Sequence, residues 1–208
     1  MFTHLLLILG LITNPGTKAV LGASNVQIAS RSFSMEDRYN VPSVNTVFKD
    51  NILLTLKYMG GDVKSKADVN WAEIEKPFNV EFTLKPGEEF AFHDKEIPAY
   101  SKNVVKTTNS HYMWYEGFKG DGYMVGDGVC HLASLISWAA KDAGLDVYVP
   151  ARHDFAKIND VPKEYGVSIN SNKPYGNLYI TNNFDKPVTF NFNYDGTNLT
   201  VSVSKEVL

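Results

Sequence analysis

The chain has 208 residues, 44% of them hydrophobic, enough to bury the core of one ordinary domain. Twenty lysines and arginines against 23 aspartates and glutamates leave a formal charge of -3, which excludes the basic footprint of a nucleic-acid binder. Fifteen glycines and nine prolines are ordinary usage, and the single cysteine excludes an internal disulfide framework and a multi-thiolate zinc site.

The chain opens on a short apolar run at residues 5–12. It is too short for a bilayer, which takes about 20 residues. It fits the apolar region of a secretory signal with a cleavage near Gly22 or Ala23, although the basic flank is missing. Residues 1–24 are therefore expected to be a signal peptide or a residual membrane anchor, and residues 25–208 one domain. That pattern predicts an extracytoplasmic chain, secreted or held at the cell envelope.

Residues 26–34 alternate as a strand, and Pro42-Ser43 opens a helix that ends at Gly60-Gly61. Residues 62–79 are polar and irregular. A strand over 78–84 meets the Pro86-Gly87 turn and continues extended to His93. Residues 94–122 are dense in aromatic side chains, among them Tyr112 and Trp114. These admit two readings, a groove for an extended ligand or loop rings folded onto the core. The clearest helix follows over 129–143, capped by Gly144. Strand-like pieces at 145–149, 165–169, 178–182, 188–194 and 199–203 then predict an antiparallel meander. The expected fold is a single α+β domain, an antiparallel sheet packed on a central helix with the cysteine at its N-terminus.

At about 100° per residue, Leu132, Leu135, Ile136, Ala139 and Ala143 collect on one side of the helix over 129–143. Cys130 falls opposite, in line with Ser134, Ser137 and Lys141. A thiol in the first turn faces free N–H groups and the positive end of the helix dipole, which favour a thiolate and an oxyanion. Gly126 and Gly128 let the chain turn sharply and a substrate backbone approach. The nucleophile needs a base. His131 adjoins the cysteine but points about 100° away, whereas His153 follows a later strand, the order seen in papain-like and NlpC-like cysteine hydrolases. Asp154, Asn159 and Asp160 are candidates to orient its ring. Cys130, His131 and His153 match no metal spacing, nor do Asp121 and Asp127 match a calcium loop, so no metal and no cofactor are expected.

The segment Gly126-Asp127-Gly128-Val129-Cys130-His131-Leu132-Ala133-Ser134 resembles the signature of the VanW family, which usually reads G-G-G-V-C-Q-[VL]-[SA]-[ST]. Asn51 in the helix before Gly60-Gly61, the turn at residues 84–92, Ala143-Gly144-Leu145, Arg152-His153, Val161-Pro162 with Gly166, and residues 178–182 before Pro187 agree in order. The family was named from vancomycin-resistance clusters and is associated with bacterial envelopes. The resemblance implies a cell-wall role and, from members reported as cysteine-dependent L,D-transpeptidases, acyl transfer on peptidoglycan stem peptides. Carried over, Cys130 is the nucleophile and His153 the base; from the residues themselves, His131 as a donor to the oxyanion and Asp160 as a candidate to orient the ring complete the expected catalytic set. Gly128, Ser134, Tyr112, Trp114 and Arg152 are expected to meet substrate. The expected partners are peptidoglycan stems, with membrane association through the N-terminal segment and a monomeric chain. Asp127 replaces a family glycine and His131 a glutamine; the added carboxylate is expected to raise the thiol pKa. The rival expectation is a wall-binding module without catalysis.

Overall fold

The computed structural model describes residues 24–94, 97–122, 126–173 and 175–207. The expected leader, residues 1–24, lies outside them except for Ser24. Among the described residues no helix is long and apolar enough to cross a membrane.

The expected α+β domain is observed, built on two sheets rather than one. The first has the order β1-β8-β7-β2, with β1 Asn25–Ser34, β2 Phe78–Leu84, β7 Val188–Tyr194 and β8 Asn198–Glu206. All its pairs are antiparallel. Strand alternation puts Phe82, Phe190, Phe192, Leu199, Val201 and Val203 on the inner face, where each is buried. Full burial of such a side chain stabilises by about 1.5–3 kcal/mol.

The second sheet has the order β4-β3-β6-β5. Its strands β3 Glu89–Ala91, β4 Val104–Lys106, β5 Asp146–Tyr148 and β6 Tyr179–Thr181 are three residues each. Phe82 stacks on both Phe190 and Phe90 with centroids 5.0 Å apart, joining the two sheets. The expected meander breaks between β6 and β7, where the chain changes sheet. Buried Asn182 marks the crossing: its amide donates to the carbonyls of Leu84 and Lys186, each at 2.9 Å. The other crossing, at Gly87, is tied to the same place by its N–H to the Asn182 carbonyl at 2.8 Å.

Helix α1, Pro42–Gly60, begins on proline and ends on Gly61 with φ 86°. Helix α3, Val129–Asp142, follows the short α2, Trp71–Ile74, after a long interval. Leu132, Leu135, Ile136 and Ala139 are fully buried, as the apolar stripe predicts. Ser134 and Ser137 are fully buried too, so the middle of the polar line does not face water, while Lys141 at its end does.

What covers that line is residues 166–169, within the stretch 165–169 expected as a strand. The segment makes one isolated bridge, Arg152 to Val167, and no ladder among the described residues. Its donors alternate: Ser168 N–H goes to the Ala151 carbonyl at 2.9 Å, while Val167 N–H goes to Ser134 Oγ at 2.9 Å and Ile169 N–H to Cys130 Sγ at 3.3 Å, both on α3. Two extended residues advance about 6.6 Å, and four helical residues about 6 Å. Alternate N–H groups therefore meet side chains one helical turn apart.

Candidate active site

The cysteine side is assembled on α1. Asn51, fully buried in the middle of that helix, donates to the carbonyls of Lys119 (3.0 Å) and Asp127 (2.9 Å) and accepts the Lys119 N–H (2.9 Å). One amide thus ties both ends of the segment that leads into α3. Asp50, also buried, pairs with the Lys119 ammonium, which lies over the Trp71 ring.

Gly126 and Gly128 have φ of 84° and 95°. A β-carbon on Gly128 would lie 2.6 Å from the Phe48 carbonyl oxygen, and one on Gly126 2.7 Å from the Tyr112 β-carbon. Close approach is what these glycines supply, to the protein's own chain at Phe48 and Tyr112, and both also border the cleft that holds Cys130.

Cys130 is half-buried, and its Sγ sits against the Ile169 backbone, accepting from its N–H at 3.3 Å with its carbonyl 3.8 Å away. The sequence argument lowers the thiol pKa; the structure raises it to about 11. Burial is the main cause, and the neighbouring Asp127 carboxylate adds to it, as its charge predicts. The helix terminus does not outweigh desolvation here.

His153 is buried and held through Nδ1, 3.2 Å from the Ala156 carbonyl. A carbonyl only accepts, so Nδ1 carries the proton and Nε2 remains the ring's acceptor. Burial lowers the His153 pKa, so the ring is neutral near pH 7. The orienting group is therefore a backbone carbonyl. Asp160 is engaged elsewhere: at φ 63° its carboxylate binds the Arg38 guanidinium at 2.7 Å and accepts the Ser34 N–H at 3.3 Å. Arg38 is itself buried, donating also to the carbonyls of Ser34 and Asn159.

His131 lies between the two halves. Its ring meets Phe48 at 5.0 Å and His153 at 6.3 Å, both edge-on. Its Nδ1 is buried with no hydrogen-bond partner among the described residues, and burial, with Arg38 and His153 nearby, drives its pKa down to about 3. It is a neutral imidazole at any physiological pH.

Cys130, His131 and His153 line one cleft of about 580 Å³, together with Arg38, Asp127 and Asn170. Among the described residues no hydrogen bond joins Cys130 to either ring, and no group of three or more His, Cys, Asp or Glu is arranged to hold a metal.

Several expected substrate contacts lie elsewhere. The Ser134 hydroxyl is buried between the Cys130 carbonyl (2.7 Å) and the Val167 N–H. Tyr112 borders the cleft, but its hydroxyl turns into the core onto Thr108 at 2.8 Å. Trp114 is 64% exposed beside Tyr115 and outside the cleft lining. Arg152 is exposed beside Asp154 and borders no part of the cleft. The aromatic segment thus divides between the two readings, with Tyr112 and Phe118 in the core and Trp114 and Tyr115 in water.

Sequence reasoning gave no role to Arg38, Phe48 or the 169–172 edge of the cleft, and read Asn51 only as a landmark. An amide amid the apolar residues of α1 was the available signal for Asn51.

Comparison with curated proteins and with solved structures returned no match. A family profile described as VanW like protein matches residues 79–204, from β2 through most of β8 and including the whole cysteine segment. That family is associated with vancomycin resistance and the cell envelope. The match spans more than half of the chain, and the chain belongs to the VanW-like family.

Proposed function

We propose that this is an exported envelope enzyme that transfers acyl groups of peptidoglycan stem peptides through Cys130. The observation that carries the reading is a lone thiol and a carbonyl-anchored imidazole on the walls of one cleft. At neutral pH both groups are uncharged, which favours general-base activation over a preformed thiolate–imidazolium pair. Substrate entry brings the carbonyl to Sγ, Nε2 of His153 takes the thiol proton, and the sulfur bonds to the carbonyl carbon. The proton then leaves with the departing amine, and the thioester passes its acyl group to a second amine or to water.

The experiment is muropeptide analysis of cell-wall digests treated with the purified protein. New crosslinked or trimmed stems are expected with the wild type. Cys130→Ser should lower their rate by about 10⁴-fold without changing the melting temperature. Absence of any new product with the wild type would sink the reading.

One observation favours a second reading, a wall-binding module: the thiol is bonded to the Ile169 backbone and held neutral. That reading expects Cys130→Ala to bind stem peptides as the wild type does, with no product from either.

A further inference from the structure

A second cavity of about 460 Å³ adjoins the first. The two share His153, Phe155, Ala156 and Lys157, so they meet along the His153 segment. Cys130 borders only the first. Phe155 is 75% exposed and rests on the His153 ring at 4.0 Å, at the edge common to both.

Away from that segment the second cavity is walled by Ile158, Val161 and Pro162, with Lys157 and Lys163 exposed at its rim. Its one carboxylate, Asp154, lies 3.6 Å from Arg152. The lining therefore combines an apolar wall with a cationic rim. In acyl transfer the base serves the amine side of the reaction, since it protonates the departing amine and deprotonates the incoming one. A cavity that meets the base and not the nucleophile is on that side.

We propose that this second cavity is the acceptor subsite, and that it takes an amino acid or dipeptide with an apolar side chain and a free carboxylate. The proposal rests on the acyl-transfer reading above. The apolar body lies on Ile158, Val161 and Pro162, the carboxylate faces Lys157 and Lys163, and the amine reaches His153. In the transfer the amine nitrogen bonds to the thioester carbonyl carbon and the C–Sγ bond breaks. Nε2 of His153 takes the proton the amine gives up and returns it to the sulfur. The products are a new amide and the free thiol, with no redox partner required.

The probe is alanyl-phenylalanine, of either configuration, carrying fluorine on the ring and titrated with the full chain by fluorine NMR. The wild type and Cys130→Ala are expected to bind it equally. Amidating its carboxylate, or Lys163→Glu, should each weaken binding about tenfold. Val161→Trp, which fills the cavity, should abolish binding, and Lys163→Glu, a surface change, keeps the test valid if Val161→Trp does not fold. No binding, or binding indifferent to Lys163→Glu and to amidation, overturns the proposal. A stem-peptide donor separates the two claims. Hydrolysis without dipeptide binding leaves the acyl-transfer reading standing and removes the subsite. Binding without any thioester or product keeps the subsite and removes both the acceptor role and the acyl-transfer reading.

Discussion

Cys130 stands on a helix whose first turn is clamped to α1 by Asn51 and by the bare face of Gly128, with Gly126 set close against Tyr112. His153, across the same cleft, stands on an irregular segment: its ring meets the Ala156 carbonyl and the rings of Phe155 and His131, and its N–H donates to Gly166 at 3.3 Å beside the Arg152–Val167 bridge. The nucleophile side is thus set by buried backbone packing, and the base side by loop contacts next to water. Burial moves both groups toward their neutral forms, driving the thiol pKa up and the imidazole pKa down, and the imidazole keeps an accepting nitrogen. The difference in packing places the cheapest adjustment on substrate entry at the histidine segment.

The comparison breaks most readily at Gly128. Gly128→Ala introduces a β-carbon into the Phe48 backbone at a φ of 95° and should destabilise by about 3 kcal/mol or more. A thermal melt checks it. A melt unchanged within a degree means that the helix contact is not tight.

Thiol reactivity comes next. With the pKa moved from an ordinary 9.0 to about 11, the thiolate fraction at pH 7.5 falls by about 100-fold. Alkylation without substrate should be slower than that of an unfolded control by about that factor and still rise above pH 9. Asp127→Gly should recover only part of the rate, because burial is the larger cause. Fast labelling at pH 7 would break the contrast.

Asp160→Ala tests the histidine side. It strands the buried Arg38 guanidinium and should cost about 2–3 kcal/mol of stability. Acyl-transfer turnover of the folded variant should stay within about twofold, since the orienting group is the Ala156 carbonyl. A turnover loss of 100-fold would return Asp160 to the orienting role.

The last effect appears only in acid. His131 has a folded pKa of about 3 against an ordinary 6.5, so the unfolded chain binds the extra proton first. The stability it contributes is full above pH 6.5 and is lost as pH falls from 6.5 toward 3. His131→Phe should flatten the melting-temperature profile across that window. An unchanged profile would mean that His131 charges freely.

Much of this was legible in the amino-acid order, and the exceptions have physical causes. The apolar stripe of α3 was readable because a helix facing a core repeats its burial every turn. The same wheel misjudged the opposite line, because backbone can cover a helix as completely as side chains do. Ser134 and Cys130 are met by the N–H groups of Val167 and Ile169, a use of polar atoms that hydropathy does not register. Residues 165–169 read as a strand because extended backbone and sheet strands share one alternation. Whether the N–H groups find a ladder or a helix is a tertiary fact. Cys130 and His153 were both singled out, yet the candidates to orient the ring were Asp154, Asn159 and Asp160 and not the Ala156 carbonyl, because a carbonyl leaves no trace in residue type. The leftward turn at Asp160 and its bond to Arg38, 122 residues away, are equally invisible locally.

The central claim is that Cys130 carries the acyl group. Intact-protein mass spectrometry after mixing the purified chain with a stem peptide tests it directly. The account predicts an adduct equal to the donor less its departing amine, mapped to Cys130, absent in Cys130→Ala and released by hydroxylamine. No adduct and no turnover in the wild type, or the same adduct in Cys130→Ala, would contradict it.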